Sequence, residues 1–410
     1  MNSTTHTILV QSYLWDHTLA ELKELHGVEA SVGSNGYTLS MNYSQIASKN
    51  DDPLACECRG VVIAKIDGSQ IDISKSLGET VILCHGMNRF FCAGMGVAAN
   101  IPLGVKGSVI LEKVDGTCGQ LYFDIFSGKW EVSTRSVSLA DKTIDGFGEF
   151  TFRTLFEKCL KDTSGYSFNE FVSNLNTRHN YIFEITSPYN EVAVKYKDCR
   201  LTLLAIRDLN TGNEIDPSVC TSIWFSDIFR IPVVKKYHFD SVDAIVDYVN
   251  SFGGSEFEGV VVRGGELVNG DFPRYKLKNA NYTMYARIRD LAGKSPRAMM
   301  GLILNEKHDD VFALLPEHLA KIGWDYVEKY SELVKRMDAE YDRIVKVTEN
   351  AENKQKALAL ATQAAGLYMP YIMHRFAGKC NGFAQWVSKN GRSGEWSSSF
   401  LDTLLEKMGV

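Results

Sequence analysis

The sequence lacks the features that mark secreted and membrane proteins. Its nine cysteines are an odd number without a Cys-x-x-Cys pair, which argues against a disulfide framework. It contains no run of about 18 apolar residues, so no membrane span is predicted. The start, MNSTTHTILV, has no basic segment followed by an apolar one. These absences predict a protein with free thiols in a reducing cytoplasm and without membrane contact.

Motifs of several common chemistries are missing as well. The chain has no Gly-x-x-x-x-Gly-Lys-Ser/Thr phosphate loop, no His-Glu-x-x-His zinc motif and no Gly-x-Ser-x-Gly nucleophile turn. Gly94, Gly96 and Ala99 match the spelling of a dinucleotide-binding Gly-x-Gly-x-x-Ala motif, but no clear strand precedes them. None of these four chemistries is therefore predicted.

Positive charge is not in excess. The 410 residues carry 44 Lys and Arg against 50 Asp and Glu, a net charge of −6, which gives no sign of a protein that holds nucleic acid by bulk charge. Residues 1–285 hold 26 basic and 34 acidic side chains (−8), and residues 286–410 hold 18 and 16 (+2). At about 150 residues per domain, the length predicts two to three domains.

The pattern of apolar residues divides the chain near residue 285. Before it, short runs alternate apolar and polar residues with period two, which is typical of half-buried strands. These runs are VVIAKID, TVILCHG, GSVILEKV, QLYFDIF, KWEVSTRSV, YIFEITS, EVAVKY, LTLLAIRD, FEGVVVR and PRYKLKN. Helices are predicted near 147–175, 217–229 and 240–251. The pattern predicts an α+β domain of mostly antiparallel sheets at 1–285 and, from three-and-four spacing, an all-helical domain at 286–410.

One predicted strand ends in a chemically suggestive turn. In the run VILEKVDGT, Leu111, Lys113 and Asp115 share a face, and Asp115-Gly116 forms a turn into the next strand. A lysine between apolar walls loses solvation and proton affinity, which makes its amine a nucleophile near neutral pH. For this motif alone, an exposed lysine of a hairpin is the simpler interpretation.

Charged residues further along strengthen the first interpretation. Lys276 and Lys278 are predicted on one strand face about 7 Å apart, where two like charges favour a polyphosphate anion. An edge strand protected by lysines explains them too. Glu184 and Glu258 each lie inside an apolar strand, where a carboxylate needs a metal, a ribose hydroxyl or an ion pair.

In their order, these motifs resemble those of covalent nucleotidyltransferases, the ATP-dependent polynucleotide ligases and capping enzymes. More narrowly, the chain resembles the bacteriophage T4 RNA ligase 1 family. The series is Glu57-Cys58-Arg59-Gly60, Arg89-Phe90-Phe91, Lys113-Val114-Asp115-Gly116, Phe183-Glu184-Ile185-Thr186-Ser187-Pro188, Glu258-Gly259, and Lys276-Leu277-Lys278 with Tyr282. The resemblance implies an ATP-grasp-like nucleotidyltransferase fold at 1–285. It also implies an RNA-specificity domain at 286–410, in place of the small β-barrel usual in DNA ligases and capping enzymes.

The resemblance further implies an ATP-dependent RNA ligase. Lys113 would form lysyl-AMP, after which AMP passes to an RNA 5′-phosphate and is displaced by a 3′-hydroxyl. ATP would be bound by Arg59, Arg89, Phe91, Glu112, Asp115, Gly116, Arg135, Glu184, Lys276, Lys278 and Tyr282. Mg²⁺ or Mn²⁺ would be bound by Glu184 and Glu258, and a second ion by Asp309 and Asp310, for which a capped or solvent-facing acidic pair is the alternative interpretation. The partner would be RNA with 5′-phosphate and 3′-hydroxyl ends, for example a nicked tRNA, repaired by a monomer in the cytoplasm, or in the host cytoplasm if phage-encoded.

The sequence departs from the family pattern at three positions, and it leaves two alternative functions open. Cys92 replaces an asparagine, Met41 replaces a tyrosine near the nucleotide, and Arg135 replaces a lysine of the later steps. A capping-type guanylyltransferase and an inactive RNA-binding relative remain open. The cations at the start of the helical region predict either an RNA contact or a solvated helix face; they are Arg287, Arg289, Lys294 and Arg297.

Overall fold

A computed structural model describes most of the chain in two compact units, residues 1–284 and 285–410. The described residues are 6–103, 107–144, 147–217, 228–253, 256–283, 286, 295–306, 308–312, 317–349, 351–364, 369–390 and 396–410. Among them, no helix is both long and apolar enough to cross a membrane. The eight cysteines within these ranges are free thiols.

The first unit begins with a small antiparallel sheet, here sheet 1, with helices beside it. Its strands follow in chain order as β1 (Val28–Val32), β2 (Thr38–Tyr43), β3 (Arg59–Lys65) and β4 (Thr80–Cys84). The helices are α1 (Leu9–Leu14), α2 (Leu19–His26) and α3 (Pro53–Glu57). The α2 boundaries follow a local code, since Thr18 and Glu21 form a capping box and Gly27 closes the helix at φ 64°.

Two five-stranded sheets follow, each built from strands that are distant in the chain. Sheet 2 has the order β13-β12-β11-β7-β8, and sheet 3 has the order β14-β6-β15-β16-β5, with antiparallel neighbours except the parallel pair β16 and β5. Sheet 2 contains β7 (Thr117–Asp124), β8 (Lys129–Thr134), β11 (His179–Thr186), β12 (Arg200–Asp208) and β13 (Glu214–Ile215). Sheet 3 contains β5 (Phe91–Cys92), β6 (Val109–Glu112), β14 (Lys236–Tyr237), β15 (Gly259–Arg263) and β16 (Arg274–Lys278).

Helices pack on sheets 2 and 3 and bury an apolar core against each of them. Helices α4 (Phe152–Ser164) and α5 (Phe168–Val172) pack on sheet 2, where Phe156, Phe171 and Phe183 are fully buried. Helix α6 (Val242–Asn250) contributes Ile245 and Val249 to the core on sheet 3. A short ribbon of β9 (Thr143–Ile144) and β10 (Phe147–Thr151) precedes α4. The mixed architecture with antiparallel sheets agrees with the prediction.

Two local predictions differ from the structure. The run EVAVKY is not a strand, because the backbone N–H groups of Ala193 and Val194 donate to Asp115 Oδ2, at 2.8 and 2.7 Å, rather than to a neighbouring strand. The helix predicted from residue 147 begins at 152, since β10 occupies the first five residues. The predicted helix at 217–229 falls mostly outside the described residues.

Three buried arginines join sheets 2 and 3. Arg207 of β12 pairs with Asp271, in the loop before β16, at 2.5 Å. Arg263 of β15 pairs with Asp216, just after β13, also at 2.5 Å. Arg274 of β16 pairs with Glu214 of β13. Because a buried guanidinium is costly without its carboxylate, these pairs fix how the two sheets face each other.

In the second unit, the described residues form helices around one apolar core. The helices are α7 (Pro296–Leu304), α8 (His308–Phe312), α9 (Glu317–Thr348), α10 (Lys354–Ala364), α11 (Met369–Phe376), α12 (Phe383–Asn390) and α13 (Ser398–Met408). Met300, Tyr371 and Leu404 are completely buried in this core. Arg297 forms a bidentate ion pair with Asp402, which accounts for one of the four cations noted above; the other three lie outside the described residues.

Candidate active site

Lys113 lies where the chain passes from sheet 3 to sheet 2. Its backbone N–H donates to the Gly259 carbonyl at 2.9 Å, continuing the pairing of β6 with β15, and the next strand, β7, belongs to sheet 2. The turn therefore connects two sheets and does not close a hairpin. At Gly116 a Cβ atom would lie 2.3 Å from the Ile185 carbonyl oxygen, so this close approach requires glycine.

A buried carboxylate lies between two lysines. Glu258 accepts from Lys113 Nζ at 2.7 Å and from Lys278 Nζ at 2.8 Å, and its side chain is 4% exposed. Glu258 immediately precedes β15, and Gly259, at φ 145°, lets the chain pass close to β16, because a Cβ there would lie 2.1 Å from the Leu277 carbonyl oxygen. The ends of three sheet-3 strands, β6, β15 and β16, thus hold a carboxylate and two ammonium groups in direct contact.

The protonation of Lys113 differs from the prediction. Burial acts to lower the pKa of Lys113, but attraction to Glu258 and Glu184 outweighs it, and the pKa is raised. The expectation that loss of solvation lowers the pKa of Lys113 is thus wrong for the free protein. Lys113 is a charged amine here, so it needs to lose its proton before it can act as a nucleophile.

Two other groups of the cluster are poised near neutral pH. Burial raises the pKa of Glu184, in β11, to about 7, against the attraction of Lys113. Burial, assisted by repulsion from Lys113, lowers the pKa of Lys276 to about 8. A carboxyl with a pKa of about 7 and an amine with a pKa of about 8 both gain and lose protons near physiological pH, which is typical of acid–base sites.

Asp115 organises the surroundings of Lys113. Besides holding the 193–194 segment, it accepts at Oδ1 from the Tyr282 hydroxyl at 2.7 Å, and both residues are buried. Tyr282 follows the Lys276-Leu277-Lys278 strand, so this hydrogen bond connects the Lys113 turn with the end of β16. These hydrogen bonds hold Asp115 and Tyr282 against other parts of the first unit, whereas the sequence predicted that both residues bind the nucleotide.

Arginines and aromatic rings complete the cluster. The Arg59 guanidinium and the Lys276 ammonium lie over the Phe90 ring, at 5.6 and 5.4 Å from its centroid. Arg89 stacks on Tyr43 at 4.2 Å and on Phe91 at 4.9 Å. Its Nη1 is buried and has no hydrogen-bond partner among the described residues, so this donor is suited to bind an anion.

Phe90, which the sequence did not single out, is the ring that contacts two cations of the cluster. Phe91 pairs with Tyr275 in the sheet and lies against Arg89. Parity along a strand could have identified Phe90, because neighbouring residues face opposite sides.

The remaining predicted residues lie in varied settings. Glu112 accepts from Tyr237 at 3.5 Å on the strand that leads to Lys113, and Arg135 is solvent-exposed after β8. Met41 is completely buried in the core beside sheet 1, and Cys92 pairs with Lys276 between β5 and β16. The side chains of Asp309 and Asp310 lie outside the described part of the chain.

A divalent ion could be held by Glu184 and Glu258. Across the described ranges, no three His, Cys, Asp or Glu side chains are grouped closely enough to form an all-protein metal site. Mg²⁺ is commonly bound by one or two carboxylates together with substrate phosphates and water. Two carboxylates beside several cations therefore fit an ion that binds together with a polyphosphate.

Two relatives of the chain carry RNA ligase in their names. No protein-family model matches the chain. It is 25% identical over 299 residues to a protein of Autographa californica nuclear polyhedrosis virus whose name assigns it polynucleotide kinase and RNA ligase activities. That match covers 70% of this chain but only 39% of the viral protein. It is 24% identical over 366 residues to the RNA ligase of Rhodothermus phage RM378, covering 78% of this chain and 79% of the phage protein.

Solved structures show weaker likenesses. An archaeal ATP-dependent RNA ligase aligns with a TM-score of 0.42 at 14% identity, over 68% of this chain and 64% of its own. A variant of the Naegleria gruberi RNA ligase solved with ATP and Mn aligns with a TM-score of 0.32 at 15% identity, over 43% of this chain and 51% of its own.

Proposed function

We propose that the chain is an ATP-dependent RNA ligase of the RNA ligase 1 type, which joins 5′-phosphate and 3′-hydroxyl RNA ends through lysyl-AMP. The observation that carries the proposal is the contact of Lys113 with Glu258 amid Lys276, Lys278 and Arg59. A candidate nucleophilic amine thereby lies beside the cations that a triphosphate requires. The names of the viral and phage relatives support the same activity.

In the first step, Lys113 loses a proton to solvent, and its Nζ attacks the α-phosphorus of ATP. A P–N bond forms, the bond from the α-phosphorus to the bridging oxygen breaks, and pyrophosphate leaves. Lys276, Lys278 and Arg59 stabilise the negative charge that develops on the leaving group. When bound, a Mg²⁺ ion at Glu184 and Glu258 would neutralise further phosphate charge.

In the next two steps, the same residues serve a second and a third phosphoryl transfer. An RNA 5′-phosphate oxygen attacks the lysyl-AMP phosphorus, the P–N bond breaks, and the Lys113 amine takes up a proton. A 3′-hydroxyl then attacks the activated 5′-phosphate and releases AMP, which completes a phosphodiester. The proton that Lys113 takes up and the proton that the 3′-hydroxyl loses are exchanged with solvent, because Glu184, whose pKa burial raises to about 7 in the ion-free protein, is the proposed ligand of the divalent ion.

Covalent labelling with radioactive ATP and GTP, each α-labelled and assayed in parallel, tests the proposal. We expect label on the protein from ATP alone, released by acid but resistant to alkali, as phosphoramidates are. Label from GTP would indicate a capping-type guanylyltransferase. Absence of label from both nucleotides would indicate an inactive relative.

The finer assignments concern the second unit. We propose that residues 286–410 form an all-helical domain that holds the RNA, with nicked tRNA as one substrate and a monomer as the active form. The helices of this unit and its charge of +2, against −8 for the rest, support this role. Asp309 and Asp310 remain proposed ligands of a second ion.

Removing residues 300–410 tests the role of the second unit. Because the Lys113 cluster lies wholly within residues 1–284, we expect labelling by ATP to fall no more than a few-fold. Sealing of a nicked tRNA loop should fall by about tenfold or more, since the phosphate contacts of that unit are lost. Unchanged sealing by the truncated protein, with folding confirmed by circular dichroism, contradicts the assignment.

A further inference from the structure

A cavity separate from the lysine cluster opens on the first unit. Its volume is about 750 Å³, within the range of ligand clefts. It is formed by the end of α4, the residues after β11, the start of β12 and the segment that follows residue 229. Four cations and two carboxylates line it, which leaves a net charge of +2; they are Lys158, Lys197, Arg200, Arg230, Asp162 and Asp198.

Two of these cations are available to a ligand. Lys158 pairs with Asp162 at 2.9 Å, and Arg200 pairs with Asp198 at 3.5 Å. Lys197 and Arg230 are exposed, and neither has a carboxylate within ion-pair distance among the described residues. Two uncompensated cations on one cavity wall favour a bound anion, and phosphate is the anion that Lys and Arg commonly bind.

The backbone holds Arg230 in place. Arg230 has φ 57°, the left-handed region that residues other than glycine rarely adopt. Its neighbours Phe229 and Ile231 are buried at 2% and 0% exposure, so the strained residue is anchored on both sides. Such conformations persist where the surrounding structure enforces them, and they cluster at ligand sites.

The cavity continues toward Lys113. A smaller cavity of about 270 Å³ adjoins it, and four residues line both cavities: Lys197, Asp198, Arg200 and Pro232. The walls of the smaller cavity include Glu112 and Val114, the residues on either side of Lys113 in the chain, and Thr186, two residues beyond Glu184, but none of the side chains of the lysine cluster. The two cavities together therefore extend from α4 to residues that neighbour Lys113 and Glu184 in the chain.

An aromatic wall distinguishes a nucleic-acid strand from a free polyphosphate. Tyr189 lines the larger cavity, and its ring packs on Phe150 and Phe147, with centroids 4.6 and 5.5 Å apart. A fixed ring beside unpaired cations is the arrangement by which proteins stack bases and follow the backbone of single strands. We propose that this cavity binds the phosphates and one base of a single RNA strand whose end reaches Lys113, an inference that rests on the proposed ligase function.

The test replaces both available cations, as Lys197→Gln with Arg230→Gln. The matched control is Lys49→Gln with Lys129→Gln, which removes the same charge from exposed sites elsewhere on the first unit. Binding of a fluorescent, 5′-phosphorylated single-stranded RNA is measured by anisotropy without ATP over a range of salt. Labelling of Lys113 by ATP is measured in parallel, and circular dichroism checks the fold.

We expect the cavity variant to bind RNA about 25-fold more weakly at about 0.1 M salt, with its salt slope reduced by about 1.4, because each lost single-strand contact removes about 0.7. ATP labelling and the control variant should match the wild type. Equal loss of RNA binding in both double variants, or none in either, overturns the proposal. Loss of ATP labelling with normal RNA binding assigns the cavity to ATP and overturns it too. If the wild type takes no label from ATP but the binding difference appears, the ligase function fails and the RNA site stands.

Discussion

The Lys113→Ala variant is expected to lose covalent labelling by ATP completely, a fall of at least about 10³-fold. Among the described residues, the neighbouring amines Lys276 and Lys278 both lie on β16 rather than after β6, so neither can take the place of Lys113 without a rearrangement. Lys113→Arg should lose labelling equally, since a guanidinium keeps the charge but stays protonated. Phosphorimaging of protein gels after incubation with α-labelled ATP gives the measurement.

A bypass substrate separates a loss of chemistry from a loss of fold. RNA that already carries AMP on its 5′-phosphate needs no lysyl-AMP, so Lys113→Ala should still seal it to a 3′-hydroxyl. Failure on both substrates with an intact fold would assign Lys113 to the final step as well. A protein-AMP adduct in the Lys113→Ala variant would identify a different nucleophile and refute the assignment.

The second large effect concerns Glu258→Gln. In the free protein, Glu258 raises the pKa of Lys113, so the unprotonated amine grows with pH only in the alkaline range. Removing that charge lowers the pKa of Lys113, and the rise of labelling with pH should move to lower pH. The maximal rate should nevertheless fall by about 10²–10³-fold, because Lys278 loses its partner and the divalent ion loses a carboxylate.

The rate of labelling at saturating ATP, followed across neutral and alkaline pH, shows both effects. Glu266→Gln is the matched control, since Glu266 is an exposed carboxylate in the same sheet-3 hairpin. A profile that keeps its midpoint while its plateau drops would show that Glu258 acts on the metal and phosphates alone. A normal plateau would remove Glu258 from the site.

The alternation of apolar and polar residues with period two correctly predicted the strand positions of several residues of this site. It put Lys276 and Lys278 on one strand face and Glu184 inside a strand, because a strand fixes side-chain direction locally. It also predicted a strand at residues 191–196, where the backbone instead hydrogen-bonds to Asp115. That contact spans 78 residues, and alternation carries no information about it.

The error on Lys113 has the same origin. Its pKa depends on Glu258, which is 145 residues away in the chain and becomes a neighbour only when β6 pairs with β15. Likewise, the sequence could not decide whether Phe90 or Phe91 contacts the cations of the cluster. This depends on which side of the two-residue strand β5 faces Lys276. Strand order within a sheet decides these points, and it follows from packing of the whole unit.

The buried arginine pairs between sheets 2 and 3 bear on how the protein responds to heat. Hydration of charged groups becomes less favourable as temperature rises, so the cost of keeping Arg207, Arg263 and Arg274 away from water falls. Hydrophobic stabilisation levels off over the same range. The two sheets that carry Glu184 and the lysines should therefore stay joined until the first unit melts, and labelling by ATP should persist up to that temperature rather than fade before it.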